Sequence, residues 1–173
     1  MRVRSIRPLN ERGSGVSDAN HYHGTVTLFT IALCSAVWAG PEDEVHARFE
    51  QWIATFNSHD ADRLSELYDQ GARLLSTGGN EKPLDGRETI RVYFTPFLKR
   101  GDTVAFDHDH VVKVFSNVGF ETGYYHFIIH NADGKPDVWV SRYTSVFEKK
   151  DGNWMILHHH SSRVPNLTGV PGR

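Results

Sequence analysis

The chain has 173 residues, 39% of them hydrophobic and 23% charged, with 19 Lys plus Arg against 21 Asp plus Glu. That length suits one ordinary domain with a short extension, and the composition excludes the collagen-like and intrinsically disordered classes. The balanced charge, with no basic cluster, argues against nucleic-acid binding, and a lone cysteine, Cys34, excludes an internal disulfide and any Cys-x-x-Cys motif.

Residues 25–39 (TVTLFTIALCSAVWA) are uncharged and follow Arg2, Arg4, Arg7 and Arg12. A basic stretch, a short apolar run and a small residue before Gly40 form the pattern of an export signal. The run falls short of the 18 or more residues that span a bilayer, so no stable membrane anchor is expected. Residues 1–40 are therefore read as a leader, and the remainder as periplasmic or secreted. The competing reading is an additional buried helix.

From residue 41 onward Pro41, Glu42, Asp43 and Glu44 suit a helix first turn, where the backbone dipole favours negative charge. Val45, Phe49, Trp52, Ile53 and Phe56 follow at helical spacing with an aromatic face. Asp60 can cap a second short helix carrying Leu64, Leu67 and Tyr68, which Gly71 would end. Residues 72–77 read as a strand stopping at Gly78-Gly79. Asp85 with Glu88 resembles a capping box opening a third helix, with Ile90, Tyr93, Phe94, Phe97 and Leu98 along one face and Pro96 expected to kink or shorten it. Beyond Thr103 the period changes. Residues 103–116, 120–130, 137–149 and 153–163 are rich in Val, Ile, Phe, Tyr and Thr and are separated by Asn117-Val118-Gly119, Asp133-Gly134 and Asp151-Gly152, which predicts three successive hairpins. Helices first and a strand meander afterwards make an α+β domain over residues 41–165: three N-terminal helices on a strongly curved, mostly antiparallel sheet. Residues 166–173 read as a loose tail. A sheet covered on one side leaves Tyr125, Phe127, Ile129, Tyr143 and Phe147 needing a partner, so a homodimer or higher homo-oligomer is expected.

The chemistry-bearing stretch is Trp154 to Arg163, which contains His158-His159-His160-Ser161-Ser162. Strict strand alternation puts Trp154, Ile156, His158, His160 and Ser162 on one face and Met155, Leu157, His159 and Ser161 on the other. If the first face lies under the helices, His160 and Ser162 line a pocket mouth. His158-x-His160 also offers two imidazoles to a metal, with His110, His126 and His130 on neighbouring strands, but zinc needs a third ligand that the spacing does not assign. Asp107, Asp109 and Asp137 are the available carboxylate bases, near strand ends.

The order of two helices, Leu74-Leu75-Ser76-Thr77, Val92-Tyr93-Phe94, Gly123-Tyr124-Tyr125, Arg142-Tyr143-Thr144 and Asp151-Gly152-Asn153-Trp154 running into HHHSS resembles the association domain of calcium/calmodulin-dependent kinase and its free-standing bacterial relatives. These belong to the cone-shaped superfold of nuclear transport factor and ketosteroid isomerase, which hosts isomerases, dehydratases, cyclases and assembly modules. The HHHSS run itself resembles the signature of the ι-class carbonic anhydrases. That resemblance implies reversible hydration of carbon dioxide to bicarbonate, with Thr77, Tyr93, His160 and Ser162 as the bicarbonate pocket. It leaves the cofactor open, since class members are described as metal-free or as zinc or manganese proteins. We expect no cofactor. Apolar Trp52, Phe56 and Ile156 would keep the cavity small, hydroxyls would donate to the developing anion, and His160 would accept a proton near neutral pH. A different isomerase or cyclase, or a non-catalytic binding or assembly module, are the alternatives.

Overall fold

The computed structural model describes residues 39–78 and 82–165. The expected apolar leader up to residue 38 and the tail 166–173 lie outside the described residues. No described helix is long and apolar enough to cross a membrane.

Helix α1 (Pro41–Asn57) begins with Pro41, and the Asp43 carboxylate accepts from the Gly40 N–H at 2.8 Å. Its buried residues Val45, Phe49, Trp52 and Phe56 recur at spacings of four, three and four and form the stripe that lies on the sheet. Helix α2 (Ala61–Glu66) is capped as expected, Asp60 accepting from the Arg63 N–H at 3.0 Å.

Tyr68 does not extend α2 but opens strand β1 (Tyr68–Leu75). Leu64, Leu67 and Tyr68 fit a helical period equally well. What decides is long-range: β1 pairs in parallel with the last strand, Tyr68 opposite Ile156, and the Ile156 N–H donates to the Leu67 carbonyl at 2.9 Å. The start of the third helix also differs from expectation. Asp85 belongs to the two-residue strand β2 (Leu84–Asp85), where it pairs with Arg73 at 2.6 Å, and α3 (Arg87–Lys99) is capped instead by Gly86 at φ +87°. Pro96 sits inside α3, which runs three residues beyond it.

Strands β3 (Thr103–Phe115), β4 (Val118–His130), β5 (Pro136–Lys150) and β6 (Asn153–Arg163) form the expected meander. Asp151 and Gly152 both have positive φ, the conformation a two-residue type I′ hairpin requires. The six strands lie in the order β2-β1-β6-β5-β4-β3, antiparallel except for β1 with β6. Helices pack on one face of this curved sheet.

The face assignment differs from expectation. Tyr125, Phe127, Ile129, Tyr143 and Phe147 are buried in the core beneath the helices rather than awaiting a partner. The outer face exposes Val111, Tyr124, Val138 and Val140. Alternation separates two faces of a strand but carries no sign saying which one the helices cover.

Candidate functional site

The strand carrying the histidines is not regular. Val146 faces His158 across the ladder while Phe147 faces Ile156, so Leu157 is an extra residue on β6. A bulge of one residue inverts the phase of alternation beyond it. Trp154 and Ile156 point into the core before the bulge, and His159 and Ser161 point into it afterwards. His160 is exposed and Ser162 half-buried on the outer face, where Arg142 Nε donates to Ser162 Oγ at 3.2 Å. The expectation that His160 and Ser162 share the inner face with Ile156 is thus overturned by a single inserted residue. They border a shallow outer-face hollow with Asp109, Tyr124, Arg142 and Thr144.

The inner cavity lies between α1, α3 and the sheet. It is lined by Trp52, Phe56, Ser76, Thr77, Tyr93, Phe94, Tyr125, His159 and Ser161, among others. Its free volume is about 30 Å³, room for one or two waters or a ligand of a few heavy atoms. Thr77, Tyr93, Trp52 and Phe56, expected from the sequence, are brought together here. Ile156 is fully buried in the adjoining core but does not line the cavity. Residues that the sequence reading missed are Tyr125, His159, Ser161 and Tyr68.

These missed residues form one chain of hydrogen bonds. Trp52 Nε1 donates to the Tyr68 hydroxyl at 2.8 Å, and that hydroxyl lies 2.9 Å from His159 Nδ1. His159 Nε2 lies 3.3 Å from the Tyr125 hydroxyl, which donates to Ser161 Oγ at 2.5 Å, and Ser161 bonds to Thr77 Oγ1. An indole N–H can only donate. Tyr68 therefore accepts at one end, and satisfying its own proton requires donation to His159 Nδ1. The imidazole must then carry its proton on Nε2 and donate to Tyr125. Continuing the sequence, Ser161 donates to Thr77, whose proton is left to serve whatever occupies the cavity. This one direction gives a partner to every link between Trp52 and Thr77.

Burial first, and the neighbouring His158 and His160 second, push His159 down to about 3. Burial raises the Tyr68, Tyr93 and Tyr125 phenols above their ordinary values. All members are therefore neutral near pH 7, and His159 serves as a hydrogen-bonding spacer rather than as a proton acceptor. Ser76 lies beside the Tyr93 hydroxyl and pulls its pKa back down, but the buried Ser76 Oγ completes no hydrogen bond of good geometry among the described residues. Gly78 faces the same hydroxyl so closely that a Cβ there would stand 2.5 Å from it, so only glycine leaves Tyr93 in place.

A zinc or manganese ion does not fit this cavity. Among the described residues its lining offers one imidazole, with both nitrogens engaged, and no carboxylate or thiolate. His158 and His160 gather no third donor on the outer face; among the described residues the grouping of three that forms is His46, His110 and Glu121.

The lowered pKa of His159 makes a prediction. In the unfolded chain an imidazole titrates near 6.5, so between that value and about 3 the unfolded state binds the proton more readily. Stability is complete above about pH 6.5 and falls as pH falls towards 3. His158, also lowered chiefly by burial, acts in the same direction. Urea unfolding across roughly pH 4–8 should show this slope, and His159→Gln should flatten it; a wild-type profile that stays flat through this window would contradict the buried neutral imidazole.

Comparison with known proteins agrees with the geometry. The SnoaL-like domain family matches residues 45–166. A protein from Xanthomonas campestris described as a calcium/calmodulin dependent protein kinase II association domain is 32% identical, with a TM-score of 0.67 over 74% of this chain and 91% of that one. A protein of the NTF2-like family from Streptomyces avermitilis described as a dehydratase is 18% identical, with a TM-score of 0.63 over 72% of this chain and 96% of that one. The association domain of C. elegans CaMKII is 17% identical, with a TM-score of 0.58 over 68% of this chain and 92% of that one. The last two show the fold, which carries isomerases, dehydratases and non-catalytic modules alike. With its helices over one face of a curved sheet and its polar chain closing on a small cavity, this chain belongs to the SnoaL-like family of NTF2-like fold.

Proposed function

We propose that the inner cavity binds a small trigonal oxyanion and that the chain catalyses the reversible hydration of carbon dioxide to bicarbonate. The observation that carries this reading is the directed hydrogen-bond chain, which leaves hydroxyl donors at a cavity sized for a few heavy atoms and walled by aromatic rings. Carbon dioxide is apolar and enters such a cavity without loss, whereas bicarbonate carries charge on oxygens that need donors. Thr77, Ser76 and Tyr93 supply them, and Ser161 holds Thr77 in place. The attacking hydroxide adds to carbon while the developing negative charge spreads over the oxygens facing these hydroxyls. Among the described residues no carboxylate lines the cavity to act as base, and His159 stays neutral, so on this reading the hydroxide is drawn from solvent. Turnover should then rise with pH without an inflection from His159 near neutrality. Stopped-flow hydration by the full chain tests the reading; a rate equal to the buffer background would sink it.

A second reading, an assembly module, is favoured by the association-domain relative and by the outer face. Val111, Tyr124, Val138 and Val140 are exposed there on adjacent strands β3, β4 and β5, and such a patch suits a second copy of the chain. Light scattering should find an oligomer that Val140→Lys weakens or dissociates. A monomer at all concentrations would remove this reading without touching the first.

A further inference from the structure

A second polar cluster lies where α1 crosses β3 and β4, among groups the proposed hydration does not use. His46 of α1, His110 of β3 and Glu121 of β4 bring one ligand atom each to within 4.8 Å of one another. His46 Nδ1 is 3.1 Å from Glu121 Oε1, and the His46 and His110 rings lie parallel with centroids 4.2 Å apart. Between Phe106 and His110, β3 carries two more residues than the facing segment of β4; an even insertion keeps His110 on the helix side of the sheet. Gly123 permits that excursion, since a Cβ there would stand 2.8 Å from the Asp109 carbonyl and 3.0 Å from His110 Cβ.

Glu121 is the unusual member. It has no exposed surface, its Oε1 accepts from the Tyr143 hydroxyl at 2.9 Å, and its buried Oε2 has no partner among the described residues. Burying a carboxylate with a bare oxygen is costly unless a cation meets it. Burial accordingly raises its pKa, with Tyr143 and His46 opposing the rise.

We propose that His46, His110 and Glu121 form a binding site for a divalent transition metal of the zinc class. Two imidazoles with one carboxylate are the donors such ions take, leaving a position open to water, whereas calcium and magnesium prefer oxygen ligands. The surroundings suit the role. Tyr143 orients the carboxylate through Oε1, and Glu50, one turn along α1, lies 3.7 Å from His46 Nε2, the nitrogen that Nδ1 ligation leaves free, so a small shift would let that imidazole donate to it. His46 and His110 are half-buried, so an ion can reach the site from solvent. Bound metal would tie α1 to the sheet and stabilise the folded chain by mass action.

Cobalt(II) and zinc titrations of the full chain test this independently of carbon dioxide hydration. We expect cobalt to give the visible absorption of a nitrogen–oxygen site at one equivalent, zinc to displace it, and the unfolding temperature to rise with zinc. Glu121→Gln, and separately His46→Asn and His110→Asn, should weaken binding by more than about 100-fold, the upper end of what losing an outer hydrogen-bond partner costs. The pair His158→Ala and His160→Ala should leave it unchanged. Should Glu121→Gln fail to fold, the two histidine variants decide. Absence of saturable cobalt absorption, or binding that survives in the histidine variants, overturns the proposal, and either result leaves the hydration reading standing.

Discussion

On the proposed activity, replacing Ser161 by alanine should lower the carbon dioxide hydration rate by up to about 100–1000-fold, the range seen when one donor to a developing oxyanion is lost, because the Thr77 donor loses the partner that holds it, while replacing its neighbour Ser162 should leave the rate unchanged. The two serines are adjacent in sequence and opposite in space. Ser161 accepts from Tyr125 and bonds to Thr77 at the cavity, whereas Ser162 meets Arg142 on the outer face. Tyr93→Phe should act like Ser161→Ala, since its hydroxyl lines the same cavity. Stopped-flow hydration with circular dichroism of each variant measures this. Equal losses in the two serine variants, or no loss in either, would move the site away from the cavity.

His159→Ala should cost about 3–5 kcal/mol of folding stability, against a few tenths for His160→Ala. The imidazole is fully enclosed and packs edge-on against the Trp52 ring, with centroids 5.2 Å apart. Its removal leaves a void and deprives the buried Tyr68 and Tyr125 hydroxyls of a shared partner. Urea unfolding of the two variants at neutral pH compares them directly. Similar midpoints for both would show that the enclosed network carries little of the stability.

Much of the fold is legible in the residues. The period of Val45, Phe49, Trp52 and Phe56, the Asp60 cap and the Asp151-Gly152 turn each act locally, so α1, α2 and the last hairpin appear where local chemistry puts them. Tyr68 is different, because its place in β1 depends on Ile156, 88 residues later, and no local pattern contains that partner. The site was half legible for a related reason. Thr77 follows the end of β1 by two residues, and Tyr93 belongs to the α3 stripe, whose phase holds. The histidine run, by contrast, needs the phase of β6, and the bulge at Leu157 shifts it by one. The only local hint is negative: apolar Leu157 and polar His158 both break the alternation that Trp154 and Ile156 begin. His46, His110 and Glu121 come from three elements, and no spacing within one element could have joined them.

The hydrogen-bond chain has a consequence for proton disorder. A file of hydroxyls resembles a thread of ice: each rotor has two senses, and without an anchor the thread has two opposite polarisations of nearly equal energy. One sense turns a hydrogen towards the cavity and the other a lone pair, so an unanchored thread would present a donor half the time and repel an anion in the remainder. Trp52 lifts that degeneracy because an indole has no lone pair to offer in return. The thread is then frozen in one polarisation before any ligand arrives, and binding an anion requires no collective flip. Trp52→Phe would leave the cavity's own hydroxyls untouched while restoring the second polarisation, so a residue five hydrogen bonds from Thr77 sets the electrical sign that a ligand meets there.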